Sequence, residues 1–597
     1  MDWHHQLLDS VIWLCKAFVI SMVAIACITT LLGKFTSWGQ QFLRVTWVWF
    51  SPVRDWRPLA KLSLLILMTL FSVRMDILFT FWNNGLYTSL QNFDAAAFWS
   101  LLAVFGVLAS VHVLRALVNF YLNQAFQIHW RVWLTENLMA RWLEQQAYYR
   151  SQHLPNRTDN PDQRIQQDIA GFVGSSLSLF LGLVSSAVSL FSFTLILWSL
   201  SGTLTLFGEE IPRAMTFLVY VYVLVATVFA VKLGRPLIKL NFLSEKLNAD
   251  FRYALIRLRE YGENIAFFRG EAVEHGTLLK RFSHVIANTW AIVFRSLKFQ
   301  GFNLGINQLA VVFPFMVQAP RFFSKQITLG DLMQTAQAFG QVQDALSFFR
   351  SSYDDFAGYR AIVNRLTGFL DTVDAADQLT MPQITYQGQN FVVNALTVES
   401  PTGAILTAHL NLVLAPGAAL LVRGPSGVGK TTLLRAIAGL WPYASGEIVY
   451  PAGQQCLFLP QKPYLPLGTL RSALYYPLAE PAEPDDSALC LILEQIQLGN
   501  LVTELDMESE WSNILSPGEQ QRLAPGRVLL HRPQLVFLDE ASSAMDEGLE
   551  HAMYSLLRKQ LPDVMLISVG HRSSLTVFHG SELILQHGGN WRLNSLL

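Results

Sequence analysis

Charge is scarce in this 597-residue sequence. Asp, Glu, Lys and Arg make up 15% of it, against about 25% in ordinary soluble domains. Neither sign dominates: 43 basic residues face 44 acidic ones. A nucleic-acid binder would carry a basic surplus, so nothing marks that class here. Cysteine is also rare. Cys15, Cys27, Cys456 and Cys490 are scattered, with no pair at metal-ligand spacing and no basis for a disulfide framework. Apolar residues are plentiful instead, at 52%. That excludes an intrinsically disordered chain and argues against a wholly soluble one. The length accommodates two to four domains. Most of the charge deficit lies in roughly the first 350 residues, so the chain divides into a membrane half and a soluble half.

Apolar runs recur at Ala17–Gly33, Leu62–Phe81, Ala95–Leu122, Ala170–Trp198, Ala214–Val231 and Phe299–Ala319. Most approach or exceed the ~18–20 residues a helix needs to cross about 30 Å of hydrocarbon. Leu329–Phe349 is a more polar seventh segment. No basic residue precedes Lys16 and no A-x-A site follows the first run, so a signal peptide is a poor reading. The connections 34–61, 123–169 and 232–298 are rich in Lys and Arg, and those between them are poor. The basic ones are expected in the cytoplasm. The N-terminus then faces outward, and a six-helix core starting near Leu62 is preceded by one extra helix. Arg74, Asp76, His112 and Arg115 lie inside these runs. Gln334, Gln337, Gln341 and Asp344 follow at intervals of 3, 4 and 3, which places them on one helical face. Polar groups at that depth face a bundle interior or a water-filled cavity. Arg74, Asp76 and the Gln/Asp stripe therefore read as a translocation cavity for a hydrophilic solute, or as interhelical hydrogen bonding.

From about Gln383 short apolar strands alternate with helical segments. The strand Ala418–Arg423 runs into Gly424-Pro425-Ser426-Gly427-Val428-Gly429-Lys430-Thr431-Thr432. This is the phosphate loop G-x-x-x-x-G-K-[ST], with a strand before it and a helix after. Its backbone N–H groups and the helix N-terminus cradle phosphates. Lys430 is placed to reach the β- and γ-phosphates, and the Thr431 hydroxyl to bind Mg²⁺. A second strand, Leu535–Leu538, ends in Asp539-Glu540. Carboxylates at a strand's C-terminal end sit where an open α/β sheet binds its ligand. Asp539 reads as a Mg²⁺ residue, and Glu540 as the group that orients or deprotonates the attacking water. A third strand, Val564–Val569, ends in Gly570-His571, and His571 reads as a γ-phosphate contact.

The motif set resembles the ABC ATPases from Gln383 to the end. Leu515-Ser516-Pro517-Gly518-Glu519-Gln520-Gln521-Arg522 looks like the signature, Gln461 like the Q-loop residue, and Ser543-Ala544-Met545-Asp546 like the D-loop. The resemblance makes His571 the switch histidine. It adds Gln461 to the Mg²⁺ set and Ser516, Gly518 and Glu519 to the nucleotide site. The first half resembles a narrower group. Asn160-Pro161-Asp162-Gln163-Arg164-Ile165 with Asp168, and Glu263-Asn264-Ile265-Ala266-Phe267-Phe268-Arg269-Gly270 with Glu274, look like elements shared by peroxisomal fatty-acyl half-transporters and bacterial YddA/SbmA/BacA-like proteins. Arg157-Thr158-Asp159 before the first of these, and Phe81-Trp82-Asn83-Asn84, look YddA-type. Asp162, Gln163, Arg164, Glu263 and Gly270 are thereby implied to couple ATP use to the membrane helices.

Three departures from the family pattern stand out. No adenine-stacking aromatic lies about 25 residues before the phosphate loop: Pro401 falls near its place, with Tyr386 and Phe391 farther upstream. Pro517 stands where many ABC proteins have Gly. Ala524-Pro525-Gly526-Arg527 interrupts the helix expected after the signature, where an interior Pro costs about 3 kcal/mol and Gly about 1 kcal/mol relative to Ala. A distorted helix with lowered ATPase activity is expected.

The expected architecture is an α-helical exporter-type membrane domain with one extra N-terminal helix, fused to a cytoplasmic α/β ABC ATPase domain. The expected bounds are 1–58 for the extra helix and linker, 59–355 for the membrane domain, 356–382 for a linker and 383–597 for the ATPase domain. One phosphate loop and one signature cannot complete a site alone, so the resemblance implies a homodimer in a lipid bilayer, using ATP and Mg²⁺. It further implies a bacterial inner-membrane transporter of cobalamin-, bleomycin- or peptide-like solutes, importing them. The alternatives are an exporter or lipid flippase on the same fold, or an ATPase-gated peptide uptake channel. No nucleic-acid partner is expected.

Overall fold

Long apolar stretches free of helix breakers become long helices, as the computed structural model shows for the described residues 3–155, 160–202, 204–206, 209–453 and 456–596. Contacts divide the chain into two units. The first is Met1–Ala140 with Asp159–Leu370, and the second is Arg141–Thr158 with Asp371–Leu597. These units do not follow the bounds drawn from sequence, because the stretch after Ala140 packs with the ATPase half.

The first unit is helical. It contains α1 (Trp3–Phe35), α2 (Ser37–Phe50), α3 (Arg57–Gln91) and most of α4 (Ala95–Leu143). The Thr36 hydroxyl caps α2 by accepting from the Gly39 N–H at 3.2 Å, which turns the chain sharply between α1 and α2. The stretch leaving α4 includes α5 (Ala147–Arg150), which belongs to the second unit. Helix α6 (Pro161–Gln163) leads through one π-helical turn into α7 (Ile169–Leu200). A hairpin of β1 (Leu204–Leu206) and β2 (Glu209–Ile211) precedes α8 (Ala214–Glu260), α9 (Gly262–Phe268), α10 (Glu271–Phe323) and α11 (Leu329–Asp377).

Six described helices are long and apolar enough to cross a membrane. The long helix α11 is too polar to qualify by composition. Its apolar face is sheltered: Ala338, Phe339 and Val342 are fully buried with Val73 and Ile77 of α3, Phe193 and Leu197 of α7, Met215, Val219 and Val223 of α8, and Ala310 of α10. Lipid tails are as apolar as these side chains, so close packing rather than transfer from water holds such a bundle together.

The second unit is a two-sheet α/β fold. β3 (Gln383–Tyr386), β4 (Phe391–Glu399), β5 (Ile405–Leu414) and β7 (Ala444–Tyr450) form one sheet in the order β3-β7-β4-β5. The larger sheet runs β14-β13-β6-β12-β11-β8. Its strands are β6 (Ala419–Arg423), β8 (Cys456–Leu459), β11 (Leu535–Asp539), β12 (Met565–Val569), β13 (Ser581–Leu585) and β14 (Trp591–Ser595), parallel except for β14. β9 (Gly468–Thr469) and β10 (Glu508–Ser509) pair separately. Alternate residues serve opposite faces. Leu420, Val422, Leu535 and Phe537 join a core with the smaller sheet and α12 (Lys430–Ile437). Leu421, Val536 and Leu538 join another with α13 (Leu470–Tyr475), α14 (Asp486–Gln495), α15 (Trp511–Ile514), α16 (Pro517–His531) and α17 (Glu547–Gln560).

Candidate functional site

The sheet order assembles the ATP site. β6, β12, β11 and β8 are neighbours and parallel, so their C-terminal ends share one edge. β6 delivers the loop Gly424–Gly429, β12 delivers His571, β11 delivers Asp539-Glu540, and β8 delivers Gln461. Gly427 at φ 79° and Gly429 at φ 107° adopt backbone that side chains resist, and this curls the loop ahead of α12. Ser426 is exposed and Val428 buried. Thr432 follows within α12. Lys430 folds back across the loop, its Nζ donating to the Gly424 and Pro425 carbonyls at 3.0 and 3.2 Å.

Glu540 lies between two residues that the sequence assigned to the site. Gln461 Nε2 donates to its Oε2 at 3.2 Å, and His571 Nε2 lies 3.4 Å from its Oε1. The Glu540 N–H donates to the Val569 carbonyl at 3.1 Å, tying the ends of β11 and β12 together. Glu540 holds φ 48°, a sparsely populated region for a non-glycine residue and a mark of functional backbone. Thr431 Oγ1 donates to Asp539 Oδ1 at 3.3 Å. Burial pushes the Asp539 carboxyl above its ordinary range, with the Thr431 hydroxyl pulling the other way. Thr431, Asp539 and the Gln461 amide offer oxygen donors only, a set that fits a hard ion such as Mg²⁺.

Ser516 is the N-cap of α16. Its Oγ and N–H both donate to Glu519 Oε2, at 2.8 and 2.9 Å. The Ser516 hydroxyl, followed by its N–H, holds the Glu519 carboxyl below the usual range. Among the described residues no hydrogen bond joins Ser516 or Gly518 to the phosphate loop. A Cβ on Gly518 would stand 3.2 Å from the Ala544 carbonyl, so the signature lies against the D-loop of its own chain. Asp546 caps α17 by accepting from the Leu549 N–H at 2.8 Å.

Several residues here had no assigned role in the sequence reading. Gln521 Nε2 donates to the Gln461 carbonyl at 2.8 Å and to Ser543 Oγ at 3.1 Å, and its Oε1 accepts from the Ala544 N–H at 2.7 Å. One amide thus joins signature helix, Q-loop and D-loop. Arg572, next to His571, donates to the Met545 and Ser543 carbonyls at 2.8 and 3.2 Å. Glu550, 1% exposed, accepts from Ser542 and Ser574 at 2.5 and 2.9 Å and pairs with Arg572 at 3.5 Å. Gln521 sits inside the quoted signature and Arg572 directly follows the quoted His571, so each stood next to a signal. Glu550 carried none, because only the fold buries it. For the adenine, Phe391 is unavailable: it lies in the core against Phe537. Tyr386 is partly exposed and stacks on Tyr450 at 5.6 Å, and Pro401 occupies an exposed turn.

Family comparison agrees with this geometry. Residues 45–323 match the model for "ABC transporter transmembrane region 2", and residues 407–543 match the model for "ABC transporter". An uncharacterized ABC transporter ATP-binding protein of Haemophilus influenzae is 48% identical, covering 99% of this chain and all of the relative. The chain belongs to the ABC transporter family. It is a half-transporter, with relatives that include bacterial YddA and members of subfamily D. One of these, the mouse lysosomal cobalamin transporter ABCD4, is 29% identical over 93% of this chain and 96% of its own length. The structure of a bacterial Atm1-family ABC exporter with ATP bound shares the fold at TM-score 0.69 and 17% identity, covering 90% of this chain and 95% of that one. The ABC domain makes the chain an ATP-binding ATPase coupled to transport.

Elsewhere in this half-transporter the expected sites separate. Asp76, Gln337, Gln341 and Asp344 line one cavity. Two residues assigned to it lie elsewhere. Arg74 donates to Ser10 Oγ and Gln6 Oε1 of α1, at 3.0 and 3.2 Å, beneath the Trp13 ring. A buried guanidinium needs acceptors, and the extra helix supplies them. Gln334 is buried and accepts from Asn84 Nδ2 at 2.7 Å, within a polar cluster that includes Asp331 and Thr328.

Asp162, Gln163 and Arg164 fall in α6 and the π-helical turn. Arg164 and Arg365 both grip the buried Asp168, at 2.9 and 2.6 Å. Glu263 lies in α9 and Gly270 is the N-cap of α10. Arg157–Asp159 lie outside the described residues. The connection meets the segment before β7 upstream of them, a contact the sequence reading missed. The His153 ring stands edge-on to Trp441 at 5.0 Å, and the Tyr443 hydroxyl donates to the His153 carbonyl at 3.3 Å.

Proposed function

We propose that this half-transporter pairs with a second copy of itself and uses ATP to import hydrophilic solutes across a bacterial inner membrane. The solutes would be cobalamin-, bleomycin- or peptide-like. One observation supports the pairing. Phosphate loop, Asp539, Glu540, Gln461 and His571 converge in one chain, while Ser516 and Gly518 make no bond to that loop. A two-fold pair would bring the signature of each copy to the phosphate loop of the other.

In that site Lys430 releases the Gly424 and Pro425 carbonyls and turns to the β- and γ-phosphates. The Glu540 carboxylate takes a proton from the attacking water. Gln461 and His571 orient that carboxylate from either side. Thr431, Asp539 and Gln461 would hold a Mg²⁺ ion, which would supply charge neutralisation at the phosphates. Gln521 and Arg572 hold the D-loop to the Q-loop and switch segments, so closing of the pair reaches all three together. The segments around Asp162–Asp168, Glu263–Gly270 and His153 carry the motion toward the membrane helices.

Glu540→Gln is expected to bind ATP yet lose roughly 10²–10⁴-fold in hydrolysis. Full hydrolysis in that variant would remove Glu540 from its role. The transport test is growth of a transporter-deficient bacterium with bleomycin or proline-rich antimicrobial peptides. Sensitisation by the active chain, and not by Glu540→Gln, supports import. The exporter reading is favoured by the fold shared with the Atm1-family structure, and protection by the active chain alone would establish it.

A further inference from the structure

The cavity between α3 and α11 has a volume of about 270 Å³. Asp76, Phe79 and Thr80 line it from α3, and Gln337, Gln341 and Asp344 from α11. The positions 337, 341 and 344 follow the i, i+4, i+7 rule, which keeps them on one face. The wall is chemically one-sided. It presents two carboxylates, two amides, a hydroxyl and an aromatic ring. Among the described residues no Lys, Arg or His lines it.

Two details sharpen the polarity. Thr80 is 4% exposed and donates its hydroxyl proton to the Ile77 carbonyl at 2.7 Å. Its oxygen is therefore left to the cavity as an acceptor. Asp76 has Arg115 and His112 of α4 as electrostatic neighbours. Asp344 has no hydrogen bond or ion pair among the described residues. Asp344 is exposed on α11, so a solute entering the cavity can reach its carboxylate. The volume is far more than one bare ion fills. Carboxylates, acceptor oxygens and an aromatic face are together the groups that hold an organic cation.

We propose that this cavity is a binding subsite for the guanidinium or ammonium group of a cationic solute, with Asp344 as its charge partner and Asp76 beside it. The proposal rests on the transporter reading and adds the charge class of what is carried.

The test compares N-acetyl-triarginine amide with N-acetyl-tricitrulline amide, which has nearly the same shape and no charge. Binding of each radiolabelled peptide to the purified full-length protein in nanodiscs is measured by equilibrium dialysis. The arginine peptide is expected to bind at least about tenfold more tightly. Asp344→Asn should bring the two affinities together, and Asp344→Glu should restore the difference. Equal binding by the native protein, no binding of either peptide, or a preference that survives Asp344→Asn would each overturn the proposal. The comparison on the native protein stands even where a variant does not fold. ATP hydrolysis by the same preparation, with Glu540→Gln as control, tests the transporter reading separately. Hydrolysis without charge preference sinks only the subsite. Charge preference without ATP-dependent peptide flux in proteoliposomes sinks only the transport reading.

Discussion

Glu540 shows how much a single residue's surroundings add to a motif. The motif names the carboxylate, and the fold supplies Gln461 on one side and His571 on the other. His579 is a contrasting histidine, with no motif and a structural task. It is 3% exposed. Its Nδ1 lies 2.7 Å from the Leu575 carbonyl and its Nε2 lies 2.9 Å from Ser568 Oγ. The Tyr554 hydroxyl donates to the same Ser568 oxygen at 3.2 Å. This network is satisfied when Nδ1 carries the proton and Nε2 accepts from Ser568, so the neutral ring fits and the charged ring does not. Burial pushes the imidazole down to about 4. The unfolded ring titrates near 6.5, so between those values the unfolded chain binds more protons, and stability falls as pH falls. Lowering the pH from 7 to 5 is expected to cost the ATPase unit about 2 kcal/mol through this residue. Thermal unfolding of the full chain across that range, compared with His579→Gln, checks it. An equally steep pH dependence in the variant would place the effect elsewhere.

At the scale of elements, α16 answers the question raised by Ala524-Pro525-Gly526-Arg527. The helix is continuous from Pro517 to His531, where the sequence led us to expect a distorted one. Gly526 is the point of closest approach: a Cβ there would stand 3.0 Å from Ile496 Cδ1 and 3.4 Å from Leu474 Cδ2. Arg527 is 4% exposed and donates to the Ala473 and Tyr464 carbonyls at 2.9 and 2.7 Å. Burial pushes it down to about 10. The run thus clamps the signature helix onto α13 and the segment after Gln461. Pro525 still removes the donor to the Gln521 carbonyl, one turn earlier. Pro525→Ala is expected to stabilise the ATPase unit by about 1–3 kcal/mol, read as a higher unfolding temperature. A lower one would show that packing of the buried proline ring outweighs the missing bond. Two membrane elements make the complementary point. Arg74 is matched by Gln6 and Ser10 of α1, and polar α11 is carried by the apolar neighbours around Phe339. Neither match is visible in the element's own residues.

For the whole molecule, the incomplete site predicts complementation between defective copies. Lys430→Ala disables the phosphate loop and Ser516→Arg disables the signature. In a mixed pair one composite site collects both lesions and the other is intact. Hydrolysis by the mixture should therefore exceed that of either variant alone. No gain on mixing would mean that each chain works by itself. The ATP motifs, their strands, the family and the long apolar helices were all legible in the sequence. These depend on local pattern: a phosphate loop needs its own glycines, and a membrane helix its own apolar run. The placement of Gln521, Arg572 and Glu550 around the D-loop was not legible, nor was the contact of His153 with Trp441 and Tyr443. Nor could periodicity tell that Asp76 shares a cavity with Gln337, Gln341 and Asp344 while Arg74 and Gln334 do not. Such meetings join residues from 8 to 290 positions apart in the sequence, and helical spacing fixes only which residues share a face. Which neighbour that face meets is decided by packing of the whole bundle and sheet, where burial favours arrangements that give most polar groups a partner.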